Sequence, residues 1–304
     1  MIYQNIIETI GNTPLVYLNK IKEKYHLKAN ILAKIEKNNP GGSIKDRVAL
    51  KIITEAEKNN QINKDTVIME ATSGNTGIGI AMVCCYKGYK AIIVMPDNAS
   101  LERIKILESF NAKVILTDRK KGMQGSIDEL EQLKIAFPNH FICDQFNNYN
   151  SVLAHYESTA KELCADLGDN INIVVVGIGT GGTIMGLSKY LKEKNKNIKI
   201  IGVEPYEAAV INKIPFGENK IPGIGAKFIP SILDLNQIDE VKPIKSSDAI
   251  YFSNEVGLVE GILAGISSGA NLKAAIEEAK KEENINKNIV VIFPDSKERY
   301  LSNV

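Results

Sequence analysis

A parallel α/β architecture is what this 304-residue sequence predicts, and three observations carry it. Strand-like apolar runs alternate with helix-length segments along most of the chain. The turns richest in Gly, Ser, Thr and Asn come directly after strands, on the side where open parallel sheets bind ligands. The length is enough for two domains of ordinary size, each with a sizeable core.

Taken in order, residues 13–18 read as a short entry strand and 30–36 as a second, alternating one. Pro40-Gly41-Gly42 is a turn signal, Ser43 then predicts an N-cap, and residues 48–56 an amphipathic helix. Residues 66–70 predict a strand that runs into Thr72-Ser73-Gly74-Asn75-Thr76-Gly77 and an apolar helix over 78–86. Strand 90–95, helix 101–110, strand 113–116, helix 126–136 and strand 141–143 follow. Helix 156–167 precedes the β-branched strand 171–176, which meets Gly179-Thr180-Gly181-Gly182-Thr183 and helix 184–194. Strand 199–203 is next. Residues 205–243 carry five prolines and little periodicity, and read as a packed functional loop. Near the end, Gly265-Ile266-Ser267-Ser268-Gly269 opens helix 270–280, and 288–293 is a last buried strand.

Composition excludes several classes of function. Lys plus Arg number 37 and Asp plus Glu 36, so no electrostatic case exists for nucleic acid or an anionic membrane. There is no tryptophan to build a base-stacking surface. The first fifteen residues carry Glu8 and lack the basic start of a signal peptide, and no apolar run approaches a membrane span. Cys84, Cys85, Cys143 and Cys164 lack CxxC spacing, and His26, His140 and His155 are scattered. That predicts reduced thiols, a cytoplasmic protein and no metal site.

Four stretches carry chemistry. Lys45 falls in the first turn of a helix, where the dipole favours negative charge. It is either solvated and offset by Asp46, or an amine meant to be neutral or covalently engaged, as in a Schiff base. It is not a phosphate-loop lysine, since Ile44 and Asp46 flank it. The turn Gly179–Thr183 combines glycines, hydroxyls and a helix start, which makes a phosphate cradle. Its rival reading is a dinucleotide fingerprint, Gly177-x-Gly179-x-x-Gly182, with Glu204 as the ribose acid. The turn from Thr72 to Gly77 offers two hydroxyls, an amide and free N–H groups, enough for a small carboxylate; a plain N-cap needs only one of them. The Gly265–Gly269 turn reads equally well as a capped βα turn.

Five motifs in this order, at 39–47, 72–77, 179–183, 221–230 and 261–269, resemble the O-acetylserine sulfhydrylases, or cysteine synthases. Cystathionine β-synthase catalytic cores are near relatives. The resemblance runs from Ile10 to Ser302 and implies two doubly wound parallel-sheet domains of the fold-type II, tryptophan synthase β-like, pyridoxal phosphate kind. It implies a smaller mobile domain over 36–148 that binds the substrate carboxylate. Residues 1–35 and 149–304 would form the larger domain that binds the cofactor phosphate.

The resemblance also implies roles. Lys45 would be the Schiff-base lysine and the base at Cα. Gly179, Thr180, Gly181, Gly182 and Thr183 would bind the cofactor phosphate, Asn75 its ring 3′ oxygen, and Ser267, or failing it Ser268, its pyridine nitrogen. Thr72, Ser73, Gly74, Thr76, Gln145 and Gly225 would hold the substrate. The implied reaction is β-replacement or β-elimination on a serine or cysteine derivative through an aminoacrylate. A cytoplasmic homodimer acting on small amino acids is implied, as is a cleft that could take the C-terminal tail of serine acetyltransferase. Two positions depart from the family: Lys227 where cysteine synthases commonly have Gly, and Ala99 where they commonly have Met. They suggest room and charge for a second amino acid, hence action on L-cysteine with release of hydrogen sulfide and formation of lanthionine or serine. The alternatives are a plain sulfhydrylase making L-cysteine from sulfide and, more distantly, a dinucleotide-binding oxidoreductase.

Overall fold

The computed structural model describes residues 2–214 and 217–303. Met1, Pro215, Phe216 and Val304, all within the larger expected domain, lie outside the described residues. Among the described residues, ten strands form two sheets. The six-stranded sheet contains β1 (Leu15–Tyr17), β2 (Asn30–Ile35), β7 (Ile173–Gly177), β8 (Lys199–Pro205), β9 (Glu240–Ile244) and β10 (Asn288–Phe293), in the order β1-β2-β10-β7-β8-β9. The four-stranded sheet contains β3 (Val67–Ala71), β4 (Lys90–Pro96), β5 (Lys113–Thr117) and β6 (His140–Ile142), in the order β5-β4-β3-β6. All pairings are parallel except that of β1 with β2.

Both sheets are covered on both faces, and the period of two along each strand shows it. In the large sheet Ile173, Val175, Ile201, Val203, Ile289 and Val291 point into one core. Their neighbours Val174, Val176, Ile200, Val290 and Ile292 point into another. In the small sheet Ile68, Ile93 and Met95 face one core while Val67, Met69, Ile92 and Val94 face the other. This is why the strands read as near-continuous Val and Ile runs.

The helices are α1 (Asn19–Lys24), α2 (Lys45–Lys58), α3 (Asn75–Lys87), α4 (Leu101–Ser109), α5 (Gly122–Ala136), α6 (Asn150–Ala154), α7 (Ala160–Leu167), α8 (Gly182–Lys194), α9 (Ser246–Glu260) and α10 (Ile266–Ala279). Most expected helices start a few residues earlier than the apolar pattern did, because polar first turns belong to them. Between α6 and α7 the segment His155–Thr159 is π-helical. Strand β9 and helix α9 had no counterpart in the sequence reading. Pro243 suits β9 because this is an edge strand, where a missing N–H breaks no ladder. Ser43 is not the cap residue itself. It forms an isolated bridge with Asp295, and its Oγ still accepts the Lys45 N–H at 3.2 Å.

Candidate active site

Turns at the carboxyl ends of β3 and β7 converge on two adjoining cavities that share Lys45, Asn75, Gly179, Thr180, Gly223 and Ile224. Lys45 is the first residue of α2 and half-buried. Burial lowers its amine to about 8. Its neighbour Asp46 is not solvated: it is buried, accepts the Gly41 N–H at 2.6 Å, and is raised by desolvation to about 7. Arg47 has the opposite environment to Lys45. It donates to Glu36 at 2.7 Å and to Glu162 at 2.5 Å, and Lys34 also reaches Glu162, at 2.8 Å. These charges hold Arg47 protonated and Glu162, despite its burial, down at about 2.

The first cavity is lined by Gly179, Thr180, Gly181 and Thr183, just ahead of and within the first turn of α8. A Cβ on Gly179 would lie 2.3 Å from the Gly223 carbonyl oxygen, so only glycine fits there. Gly181 takes φ of +92°, which glycine adopts without strain. Gly182 is the first residue of the helix and is buried. Thr183 Oγ1 sits 3.1 Å from His155 Nε2, and His155 Nδ1 sits 2.9 Å from Thr159 Oγ1. Burial keeps His155 neutral, helped by the positive charges of Arg47 and Lys45. Ser267 lines the same cavity; Ser268 is buried away from it, its Oγ without a partner among the described residues.

Asn75 stands between the two cavities with its amide held at both ends. Its Nδ2 donates to Asp295 Oδ2 at 2.7 Å, and its Oδ1 accepts from Arg299 at 2.9 Å. Tyr300 donates its hydroxyl to the same carboxylate oxygen of Asp295, and Arg299 also donates to the Gly41 carbonyl.

The second cavity is lined by Thr72, Ser73, Gly74, Thr76, Gln145 and Gly225, along with Met123, Phe146 and Ala226. Thr72 Oγ1 accepts the Gly74 N–H at 3.2 Å, closing the turn. Thr76 donates to Gln145 Oε1 at 2.6 Å. Arg103 donates to the Ser73 carbonyl at 2.9 Å and lies over the Tyr300 ring. Lys227 does not line this cavity. It is exposed, adopts φ of +63°, and borders a small separate hollow behind the loop with Ile178 and Glu204. Ala99 packs against the small-sheet core and lines neither cavity.

Glu204 is buried and accepts from the N–H groups of Ile211 at 3.1 Å and Asn212 at 2.9 Å. It anchors its own loop, so the ribose-binding acid that a dinucleotide site needs is spent on structure. Among the residues around the cavities, the sequence reading passed over Glu70, His155, Asp295 and Arg299. An acid at or just past the carboxyl end of a buried strand, as Glu70 and Asp295 are, was the available signal.

The site suits a phosphorylated aldehyde. A glycine-walled cradle at a helix start takes a dianion, a half-buried amine with lowered basicity takes a carbonyl carbon, and a fixed amide stands between them. No group of His, Cys, Asp and Glu arranged for a metal occurs among the described residues. The family model described as pyridoxal-phosphate dependent enzyme matches residues 6–295. Cysteine synthase B of Campylobacter jejuni is 44% identical over 99% of this chain and 98% of its own. The crystal structure of cysteine synthase from Entamoeba histolytica superposes with a TM-score of 0.97 at 43% identity, covering 100% of this chain and 90% of that one. A hydrogen sulfide-producing enzyme from Fusobacterium nucleatum superposes with a TM-score of 0.94 at 45% identity, covering 99% and 100%.

Proposed function

The chain belongs to the pyridoxal-phosphate-dependent enzymes of the cysteine synthase kind, and from that premise we propose which residues run its β-replacement and on which substrate. Lys45 is the residue that holds the cofactor's aldehyde carbon. Gly179 to Thr183 hold the phosphate, Asn75 meets the ring 3′ oxygen, and Ser267 faces the pyridine nitrogen. When bound, pyridoxal phosphate draws electrons from Cα of an attached amino acid, which loosens both the Cα proton and the Cβ substituent. A serine hydroxyl at the pyridine nitrogen, unlike a carboxylate, does not force protonation, which favours loss of the Cβ group over transamination.

Lys45 Nζ takes the Cα proton and later returns it. An amine lowered to about 8 is substantially neutral in mildly alkaline water, as a base must be. Thr72, Ser73, Thr76 and Gln145 orient the substrate carboxylate, with Gly74 and Gly225 allowing close approach. The unit over 36–148 carries this carboxylate turn and moves over it, excluding water from the reacting carbon. Residues 1–35 and 149–304 form the larger, cofactor-binding unit.

For the substrate, we read L-cysteine as a first substrate that loses sulfide, with a second cysteine or water adding to Cβ to give lanthionine or serine. The observation that carries this reading is the backbone of Lys227. A non-glycine residue in the left-handed region costs about 1–2 kcal/mol, and Lys227 adopts that conformation in the loop that continues from Gly225 and Ala226. A lysine kept at that cost, its exposed side chain outside the cavity but only two residues from the cavity wall at Gly225, supplies a cation for the carboxylate of an incoming amino acid. The hydrogen sulfide-producing relative supports the same choice. Incubation with L-cysteine alone tests it: sulfide and lanthionine are expected, and neither product by mass spectrometry would overturn it. O-acetylserine plus sulfide is the second reading, favoured by the cysteine synthase relatives. Competition among O-acetylserine, O-phosphoserine, L-serine and L-cysteine ranks the two.

The enzyme acts on small amino acids, and no helix among the described residues is long and apolar enough to cross a membrane. We take it to be a cytoplasmic homodimer. The exposed apolar side chains Val16 and Tyr17 on edge strand β1 support a subunit contact. Binding of a serine acetyltransferase C-terminal peptide in the cleft is tested by its competition with substrate.

A further inference from the structure

Beyond the residues that line the second cavity lies a buried acid. Glu70 is on β3, one residue before the strand ends, and is 4% exposed. Its Oε2 accepts the backbone N–H of Asp144 at 2.9 Å. Gln145, the next residue, lies near enough to act on the ionisation of the same carboxyl group. Gln145 is itself buried, and its Oε1 receives the Thr76 hydroxyl at 2.6 Å. The amide of Gln145 therefore has a fixed orientation. Its oxygen is turned to Thr76, and its two N–H groups therefore point away from that hydroxyl.

We infer that Glu70 is the positioning residue of the substrate-carboxylate site, holding the backbone after β6 at Asp144 so that the adjacent Gln145 presents its amide to the carboxylate of the amino acid. The inference rests on the reading of Thr72–Thr76 and Gln145 as that site. Two features beyond contact support it. Asp144 adopts φ of +47°, in the left-handed region that Asp enters more readily than most non-glycine residues, and the Glu70 carboxyl group is the partner of its N–H there. Among the described residues the buried carboxyl group has no ion-pair partner to justify it as a structural charge, and its hydrogen bond goes to residue 144. A buried acid with that pattern serves orientation.

The chain of bonds also constrains Thr76. While its hydroxyl hydrogen is on Gln145, the Thr76 side chain can only accept, so Thr76 meets an anion through its backbone N–H in the first turn of α3. The donors left for the substrate are then the Gln145 N–H, the hydroxyls of Thr72 and Ser73, and the N–H groups at the start of α3.

The test uses holoenzyme variants and L-alanine, which has no Cβ leaving group, as a binding probe followed by the visible spectrum of the cofactor. Glu70→Ala is expected to raise the L-alanine Kd and the L-cysteine KM about tenfold or more, with kcat within about threefold and cofactor content unchanged. Glu70→Gln, which keeps an acceptor for the Asp144 N–H, is expected to restore Kd to within about threefold of the parent. Should Glu70→Ala fail to fold, Glu70→Asp, which draws the carboxyl group back by one methylene, replaces it with the same expected direction. An unchanged Kd in Glu70→Ala, alongside a raised Kd in Gln145→Ala, overturns the role of Glu70 alone. An unchanged Kd in Gln145→Ala overturns the carboxylate site itself, and this inference with it. Equal loss of cofactor in Glu70→Ala and Glu70→Gln overturns the inference in favour of a purely structural acid.

Discussion

The two strand-to-helix turns that meet at Lys45 are built by opposite means. The turn after β7 is made of backbone. Gly179 packs against the Gly223 carbonyl with no room for a side chain, and Gly181 occupies a conformation that suits glycine. The turn after β3 is made of side chains held by other side chains: Thr76 by Gln145, Asn75 by Asp295 and Arg299, and the Ser73 carbonyl by Arg103. A backbone cradle has one shape and suits a group that stays. A side-chain network can rearrange and suits a substrate that comes and goes.

Substitutions break or sharpen that contrast. Lys45 belongs to both cavities, and Lys45→Ala is expected to lower turnover by about 10²–10⁴, while cofactor soaked into the variant still binds the cradle but is released on borohydride treatment and gel filtration. Gly179→Ala comes next. Its methyl group would overlap the Gly223 carbonyl, so loss of most bound cofactor is expected, read from the visible absorbance per subunit, with a stability cost of about 1–3 kcal/mol by denaturant titration. Thr72→Val, in the adjustable turn, should leave cofactor content intact and raise KM by about tenfold, as one lost hydrogen bond to a charged group predicts. If the two turns respond alike, the contrast is wrong.

Lys227→Gly should act in two directions. Release of the left-handed backbone is expected to stabilise the fold by about 1 kcal/mol, seen as a raised denaturation midpoint, while lanthionine formation falls and sulfide release from the first cysteine persists. The smallest effect concerns Glu70, raised from 4.5 to about 8 by burial. The folded protein then binds a proton that the unfolded chain releases, so stability from this group is full below 4.5 and declines as pH rises towards 8. Glu70→Gln should flatten the fall in melting temperature between those two pH values.

The turns themselves were legible in the sequence because their signal is local: a density of Gly, Thr, Ser and Asn right after a β-branched run. So was the parallel architecture, since strands covered on both faces must be apolar at every position. What escaped reading depends on partners distant in the chain. Strand β9 contains a proline tolerable only at an edge, and edges are decided by the whole sheet. Helix α9 lacks a clean apolar stripe; Leu258 on it is 85% exposed. The π-helical turn at His155 leaves no mark in composition. Asp46 was the offset in the alternative that left Lys45 solvated, yet its partner is the Gly41 N–H, and Glu204 was the ribose acid of the rival dinucleotide reading, yet it closes its own loop. Lys227 stood out as an unusual residue, but only the backbone angle gives that oddity an energy.

The order of strands in the large sheet has a consequence for how the polypeptide is made. The last strand, β10, lies between β2 and β7 at the sheet's centre, and Asp295, Arg299 and Tyr300 follow it. On the ribosome the four-stranded sheet has all its strands by residue 142, whereas the six-stranded one waits for residue 293. Asn75 meets its two anchors later still, once residues 295 and 299 have left the exit tunnel. Vitamin loading thereby waits on β10 and the residues just after it: a chain stalled before them would present a finished small sheet beside an open seam, a form for chaperones and proteases to recognise.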